Sequence, residues 1–265
     1  MTFPNISPIA ISFGAIQIRW YGIMYLLTFV IAYFLTGYFA KERKVKIDQD
    51  FTGDIILSSL IGVVLGGRLG YILFYNLPYY LSNPADVFKI WNGGMSFHGG
   101  MLGVILGLFI LSKIRKTPFY TITDTIVPII PIGIVLIRIG NFINAELYGR
   151  ITTSSFCYNF PTDLENCRYP SQLIQALLEG LFTFFIIFFL RKKIKTPGTL
   201  SWLFIVTYGT LRFIGEFFRE PDPQIGLLPG SLTEGQYFSI MMILVGGWFL
   251  YKNYRTKGFT EGAGK

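Results

Sequence analysis

The sequence predicts an all-α integral membrane protein with about seven transmembrane helices. The chain has 265 residues, of which 52% are hydrophobic and only 14% are charged, and its mean hydropathy is +0.50. A soluble domain carries about a quarter charged residues, so much of this surface must face lipid. The apolar residues also form long runs separated by short basic clusters, which is typical of a polytopic membrane protein.

Seven apolar runs approach the length of about 20 residues that a helix needs to cross a bilayer. They cover residues 18–40, 52–75, 98–113, 121–140, 171–190, 199–218 and 236–252. No positive residue precedes Arg19, whereas a secretory signal peptide begins with a basic segment. We therefore expect the first span to remain in the mature protein.

The basic clusters predict the orientation of these spans. They lie at residues 41–46, 113–116 and 191–195 and in the tail from Lys252, and they hold 15 of the 23 lysines and arginines. Each follows an odd-numbered span, and such loops stay on the cytoplasmic side. The N-terminus is therefore predicted outside and the C-terminus inside. Clusters of this kind explain the net charge of +8 better than nucleic-acid binding does.

The three outer loops, near residues 76–97, 141–170 and 219–235, are the longest connections in the chain. Long loops with polar residues often carry function, which predicts an active face at the outer leaflet. Cys157 and Cys167 both lie in the second of these loops. On an oxidising side of the membrane they suit a disulfide, and two unrelated free thiols are the alternative.

Three arginines fall at membrane depth on the outer side: Arg68, Arg138 and Arg212. An arginine at this depth normally faces a partner or a wet cavity, so each is a candidate site residue. The alternative for each is a structural arginine that snorkels to the headgroups or joins two helices. Several on one side of the membrane favour the functional interpretation.

The sixth span places four polar residues on one helical stripe. Tyr208, Arg212, Glu216 and Arg219 are spaced four, four and three residues apart. Glu216 is therefore expected to pair with both arginines, and guanidinium groups held in this way suit phosphate. An ion ladder that serves packing alone is the alternative. In the fifth span, Glu179 has no partner that the sequence identifies.

The chain has a single histidine, His98, at the predicted start of the third span. A single histidine excludes metal sites that need two. The glycines that follow, Gly99 and Gly100, are expected to leave backbone N–H groups open to an anion at a helix N-terminus. His98 is a candidate general base or hydrogen-bond donor to phosphate, and a helix cap is the alternative.

Four segments of the chain resemble the bacterial prolipoprotein diacylglyceryl transferases. They are RIGNFINAELYGR (138–150), FHGGMLG (97–103), GGRLGY (66–71) and YGTLRFIGEFFREPD (208–222). The resemblance covers essentially the full length and agrees with seven spans and an outer N-terminus. One departure is Ala145, where the family pattern leads us to expect glycine.

The resemblance implies a multi-pass enzyme of the bacterial cytoplasmic (inner) membrane. Members transfer the diacylglyceryl group of phosphatidylglycerol to the thiol of the lipobox cysteine in a prolipoprotein signal peptide, forming a thioether and releasing glycerol phosphate. No metal, organic cofactor or nucleic acid is expected. By their match to the family motifs, the implied site residues are Arg138, Asn141, Glu146, Gly149, Arg212, Glu216, Arg219 and His98, with Tyr21 and Tyr208 nearby.

The chemistry assigns provisional roles to these residues. The leaving phosphate needs cationic donors, which Arg138 and Arg212 supply while Glu216 orients Arg212. His98 is the first candidate for the base that takes the thiol proton, and Glu146 is the second. Further candidates for substrate binding are Asn141, Gly99, Gly100, Gly149, Tyr21, Tyr208, Arg219 and Arg68.

Two other classes place polar groups in a membrane. An anion or lipid transporter also needs arginines at depth, yet the two halves of this chain show no inverted repeat. An intramembrane protease with a serine nucleophile is disfavoured because the chain has no GxSxG segment. Release of glycerol phosphate from phosphatidylglycerol distinguishes the transferase from both.

Overall fold

The computed structural model describes residues 1–4, 6–14, 16–90, 93–221 and 225–257. The chain forms two compact units, one of residues 33–125 and one of residues 1–32 with 126–265. Parts of the predicted first and third outer loops (91–92 and 222–224) and the end of the basic tail (258–265) lie outside the described residues.

The chain is mostly helical, as the sequence predicts, and each of the seven apolar runs contains helix. The helices are α1 (Trp20–Glu42), α2 (Gln49–Tyr75), α3 (Leu77–Ser82), α4 (Phe97–Ile114), α5 (Phe119–Ile126), α6 (Ile130–Ile143), α7 (Ser171–Gln175), α8 (Thr183–Leu190), α9 (Thr199–Gly215) and α10 (Glu234–Lys257). Short 3₁₀ turns cover Pro84–Phe88 and Pro229–Ser231.

Two β-hairpins, which the sequence did not predict, accompany the helices. Strands β1 (Ile9–Phe13) and β2 (Ile16–Arg19) pair antiparallel directly before α1. Strands β3 (Tyr158–Phe160) and β4 (Asp163–Arg168) pair antiparallel within the predicted second outer loop. Each hairpin is its own two-stranded sheet.

Among the described residues, three helical segments are long and apolar enough to cross a membrane: Trp20–Glu42, Gln49–Tyr75 and Ser171–Leu190. A fourth candidate is the pair α5 and α6, which is bent by 50° at the break after Ile126. Pro128 and Pro131 explain this break, because proline lacks the N–H that a continuous helix would use. The predicted fourth span is thus interrupted, and the count of seven spans stays a prediction.

In the unit of residues 33–125, α2 and α4 pack closely through glycines. A Cβ on Gly62 would lie 2.6 Å from the carbonyl oxygen of Gly103, which is far closer than atoms can approach. A Cβ on Gly70 would lie 2.8 Å from the Cα of Gly99. These contacts agree with the spacing of small residues in both helices, which lets helix backbones touch.

The other unit contains α6 to α10 and both hairpins. Its buried apolar core comprises Val127, Ile187, Ile194, Leu200, Phe204 and Tyr208. Between α7 and α8 the helix widens to a π-helical segment, Ala176–Phe182. Such segments are uncommon and are frequent at functional sites, because they turn a side chain away from its α-helical direction.

Candidate active site

The centre of the candidate site is Glu179, which lies in the π-helical segment and is fully buried. Its carboxylate accepts hydrogen bonds from two arginines on different helices. Arg138 of α6 donates from Nη2 to Oε2 over 2.9 Å, and Arg212 of α9 donates from Nη1 to Oε1 over 3.1 Å. One carboxylate thus holds two guanidinium groups beside each other in the interior of the unit.

A second buried carboxylate, Glu216, extends the cluster. It accepts from Arg212 Nη2 over 2.6 Å and from Arg219 Nη1 over 3.2 Å, which are the pairings that the sixth-span stripe predicts. Thr233 donates its hydroxyl to the other oxygen over 2.9 Å. Gly235 leaves room for this carboxylate, since a Cβ there would lie 2.7 Å from the Cδ of Glu216.

Arg138 and Arg212 share one counter-charge. Both guanidinium groups bind Glu179, while Glu216 binds Arg212 and Arg219. Arg138 uses only Nη2, so its Nε and Nη1 donors have no acceptor among the described residues. The side chains of Arg138 and Arg212 are 13% and 15% exposed, so each guanidinium is largely dry but reachable. This arrangement suits a singly charged phosphodiester.

Glu146 is fixed where α6 ends. Asn141, itself buried, donates from Nδ2 to Glu146 Oε1 over 2.8 Å, and Asn144 donates to the same oxygen over 3.4 Å. Gln172 of α7 donates to the Glu146 carbonyl over 2.6 Å. Between these residues Ala145 has a φ of 53°, in the left-handed region that favours glycine. This conformation explains why the family pattern leads to glycine at that position.

Gly149 lies at a close crossing of three backbone segments. Its N–H donates to the Tyr169 carbonyl over 2.8 Å, and a Cβ would lie 2.6 Å from that same oxygen. The neighbouring Arg150 N–H donates to the Phe218 carbonyl over 3.0 Å, and Gly149 forms a β-bridge with Arg219. Gly149 therefore joins the predicted second outer loop to the segment that carries Arg219.

The β3–β4 hairpin supports this crossing through Arg168. Its Nη1 donates to the Gly149 carbonyl over 3.2 Å and to Glu220 over 3.3 Å. Its Nε donates to Asp163 over 2.5 Å, and this hydrogen bond holds the pKa of the Asp163 carboxyl below its ordinary value. A disulfide joins Cys157 and Cys167 with a Cα–Cα distance of 5.4 Å, which closes the hairpin.

The two tyrosines lie on helices of the same unit. Tyr21, at the start of α1, lies within hydrogen-bonding distance of Tyr25, with 3.3 Å between the hydroxyl oxygens. It also packs on α6, where a Cβ on Gly140 would lie 3.2 Å from the Tyr21 ring. Tyr208 is buried in the apolar core one helical turn before Arg212.

Two expectations about the unit of residues 33–125 need correction. The guanidinium of Arg68 is buried and donates to the backbone carbonyls of Asp86, Val87, Lys89, Gly93 and Gly94. A guanidinium has five N–H donors, so this set occupies it. Arg68 therefore organises the loop after α3, and the geometry does not support the prediction that it binds substrate.

The backbone N–H groups after His98 are also occupied. Ser96 caps α4, with its hydroxyl accepting from Gly99 N–H over 3.2 Å and its carbonyl accepting from Gly100 N–H over 2.9 Å. The expectation of two N–H groups open to an anion is therefore wrong for this structure. The physical reason is that a serine N-cap satisfies the first donors of a helix. His98 lies in the first turn of α4.

The residue that the sequence interpretation missed is Glu179. A carboxylate in the middle of an apolar span was the available signal, because such a group requires a cation nearby. Its partners lie 41 and 33 residues away along the chain, so only the tertiary structure identifies them. Among the described residues no group of three or more histidine, cysteine, aspartate or glutamate side chains is arranged to hold a metal ion.

Comparison with known proteins identifies the family. The model of the family described as prolipoprotein diacylglyceryl transferase matches residues 8–252. Relatives named phosphatidylglycerol–prolipoprotein diacylglyceryl transferase include one from Geobacter sulfurreducens, 48% identical over 93% of this chain and 95% of its own. One from Acinetobacter baumannii is 45% identical over 100% of this chain and 99% of its own. One from Coxiella burnetii is 43% identical over 96% of this chain and 98% of its own.

Proposed function

The chain belongs to the prolipoprotein diacylglyceryl transferase family, and from this membership we propose that it transfers the diacylglyceryl group of phosphatidylglycerol to a prolipoprotein. The acceptor is the thiol of the lipobox cysteine, and the products are a thioether and glycerol phosphate. The observation that carries the proposal is the pair of Arg138 and Arg212 held by the buried Glu179. No observation favours an anion or lipid transporter.

The reaction exchanges one bond to carbon for another. The thiol sulfur forms a bond to the glycerol carbon that bears the phosphate ester, and the bond from that carbon to the ester oxygen breaks. The electron pair stays with the departing glycerol phosphate, and the thiol proton leaves. Charge therefore builds on the phosphate in the transition state, which a fixed set of cationic donors stabilises.

Arg138 and Arg212 are the proposed phosphate clamp. Glu179 holds both side chains, so the guanidinium groups need no reorganisation when the lipid binds. Glu216 accepts a hydrogen bond from Nη2 of Arg212 and another from Nη1 of Arg219, so it orients both side chains. The negative charge of a phosphodiester would supply a second counter-charge to Arg138 and Arg212, which share Glu179.

For the thiol proton, His98 is the proposed base, with Glu146 as the second candidate. Imidazole has an ordinary pKa near neutrality, which suits it to accept a proton from a thiol. The Glu146 carboxylate is held by Asn141 at the end of α6, in the unit that contains the arginines. A His98→Gln enzyme with most of its transfer rate would leave Glu146 as the candidate.

We also propose the membrane arrangement that the basic clusters predict. The chain is one polytopic domain of the bacterial inner membrane with seven spans, an outer N-terminus and a cytoplasmic C-terminus. The phosphate clamp then faces the outer leaflet. The disulfide between Cys157 and Cys167 agrees with this placement, because disulfides persist on the outer, oxidising side.

The function is tested with purified protein in phosphatidylglycerol vesicles and a lipobox peptide. Wild-type protein is expected to release glycerol phosphate in proportion to thioether formed. Arg138→Lys should lower transfer by at least about 100-fold while the protein still folds, because one ammonium cannot hold Glu179 and a phosphate together. The matched control is Arg115→Lys, at an exposed pair with Asp54. Wild-type turnover by Arg138→Lys would contradict the clamp.

A further inference from the structure

Next to the arginine–glutamate cluster lies a buried carboxamide that the proposed mechanism does not use. Gln175 belongs to α7 and is fully buried. Neither its Nε2 nor its Oε1 has a hydrogen-bond partner among the described residues. Buried amides almost always find partners, because leaving both ends unpaired carries a large desolvation penalty.

Gln175 lies beside the carboxylate that holds the two arginines. Both Gln175 and Glu179 pack on Gly215 of α9. A Cβ on Gly215 would lie 3.4 Å from Gln175 Cγ, 4.0 Å from Gln175 Nε2 and 3.4 Å from Glu179 Oε1. The unpaired amide and the carboxylate that holds the two arginines therefore lie against the same residue of α9.

Two other buried glutamines of the same unit differ from Gln175 in their hydrogen bonds. Gln172 donates to the Glu146 carbonyl and has only Oε1 unpaired, and Gln236 accepts from the Thr233 N–H and has only Nε2 unpaired. Each of these two is anchored by the protein at one end. Gln175 has a donor and an acceptor both open, which matches a hydroxyl group, since a hydroxyl also donates and accepts.

The charge of the cluster restricts the group that carries this hydroxyl. Arg138 and Arg212 share Glu179, so an ammonium, as in an ethanolamine headgroup, would add a positive charge beside two guanidinium groups that already hold one phosphate. An uncharged polyol attached to the phosphate is not repelled by the arginines, and its hydroxyl groups can hydrogen-bond to the Gln175 amide. The glycerol headgroup of phosphatidylglycerol has this chemistry.

We propose that Gln175 determines headgroup specificity by hydrogen-bonding a hydroxyl of the glycerol headgroup while the arginines hold the phosphate. This proposal rests on the proposed function and adds a residue to it. Because the hydrogen bonds differ between lipids and the phosphate contacts do not, Gln175 should discriminate by headgroup without being needed for the chemical step.

The test compares two lipids that differ only in the headgroup hydroxyls. The enzyme is reconstituted with a lipobox peptide and either phosphatidylglycerol or phosphatidylpropanol, and kcat/KM is measured for each. Wild-type protein is expected to prefer phosphatidylglycerol by about tenfold or more, because a site built for a hydroxyl rejects the analogue that lacks it. Gln175→Met keeps the shape of the side chain, and its preference should fall to within about twofold.

A matched control removes a different polar contact from the same unit. Asn253 donates to the Thr199 hydroxyl over 3.1 Å, at the end of α9 that lies roughly 20 Å along the helix from Arg212. Asn253→Leu should leave the preference between the two lipids unchanged. If Gln175→Met does not fold, Gln175→Leu replaces it. The preference of that variant between the two lipids is then compared with the preference of the wild-type protein.

Each outcome distinguishes the two proposals. Loss of preference in Gln175→Met, with transfer from phosphatidylpropanol maintained, supports the role of Gln175. A preference equal to that of wild type, an equal loss with both lipids, or a wild-type protein without preference would overturn it and leave the transferase function intact. Absence of transfer from phosphatidylglycerol by the folded wild-type protein would instead contradict the proposed function.

Discussion

Glu179 is the residue on which the arrangement of charges depends. It is fully buried and accepts from Arg138 and Arg212, so it holds in place two cations that would otherwise repel each other. A single buried carboxylate between two guanidinium groups is strongly favourable only while all three are charged and hydrogen-bonded. Glu179 is thus expected to control both the geometry of the clamp and the stability of the unit.

Replacing Glu179 by glutamine tests this role. Glu179→Gln leaves Arg138 without its counter-charge and Arg212 with Glu216 alone, which should destabilise the protein by about 3–5 kcal/mol and reduce transfer strongly. Thermal unfolding and transfer rate with phosphatidylglycerol are the measurements. Glu165, exposed on the β3–β4 hairpin, provides the control, and Glu165→Gln should change neither. An unchanged unfolding temperature in Glu179→Gln would contradict the buried cluster.

At the residue scale, local spacing predicted the pairs between residues three and four apart but not the pairs between helices. Glu216, which caps the C-terminal end of α9, pairs with Arg212 four residues earlier on the helix and with Arg219 three residues later, just after the turn that follows it. Glu179 connects the π-helical segment to α6 and α9, and no rule based on local spacing predicts which residues of these helices meet. For the same reason the sequence did not indicate that backbone carbonyls occupy Arg68.

At the scale of elements, the apolar runs predicted the helices well because helix formation in lipid depends on length and hydropathy. The β3–β4 hairpin was not predictable from strands this short. Its contacts are distant in sequence: the N-terminal amine donates to the Cys157 carbonyl over 2.9 Å, and Thr2 forms a β-bridge with Asn159. The widened helix around Glu179 likewise has no distinctive sequence pattern.

The disulfide of this hairpin gives a prediction at the same scale. Cys157→Ser with Cys167→Ser should lower the free energy of unfolding of the hairpin by about 3 kcal/mol, the chain-entropy value for a loop of 10 residues. Limited proteolysis of the hairpin measures the effect, and reductant should reproduce it in the wild-type protein. Reductant should have no effect on the double variant. Identical cleavage of wild type with and without reductant would contradict the prediction.

At the scale of the whole molecule, the membrane topology is the prediction with the widest consequences. The basic clusters place residue 44 in the cytoplasm and residue 228 outside. Lys44→Cys and Leu228→Cys, each made in the variant without native cysteines, distinguish the two sides. In intact cells a membrane-impermeant maleimide should label position 228 and not position 44. The reverse labelling would show that the orientation is inverted.

Arg138 and Arg212 are proposed to bind the phosphate of phosphatidylglycerol together. An experimental structure of the protein with this lipid bound is the decisive test. We expect the lipid phosphate within hydrogen-bonding distance, about 3 Å, of both guanidinium groups, with Glu179 still accepting from each on its other side. A phosphatidylglycerol molecule bound with its phosphate away from both arginines would show that they are not the phosphate site.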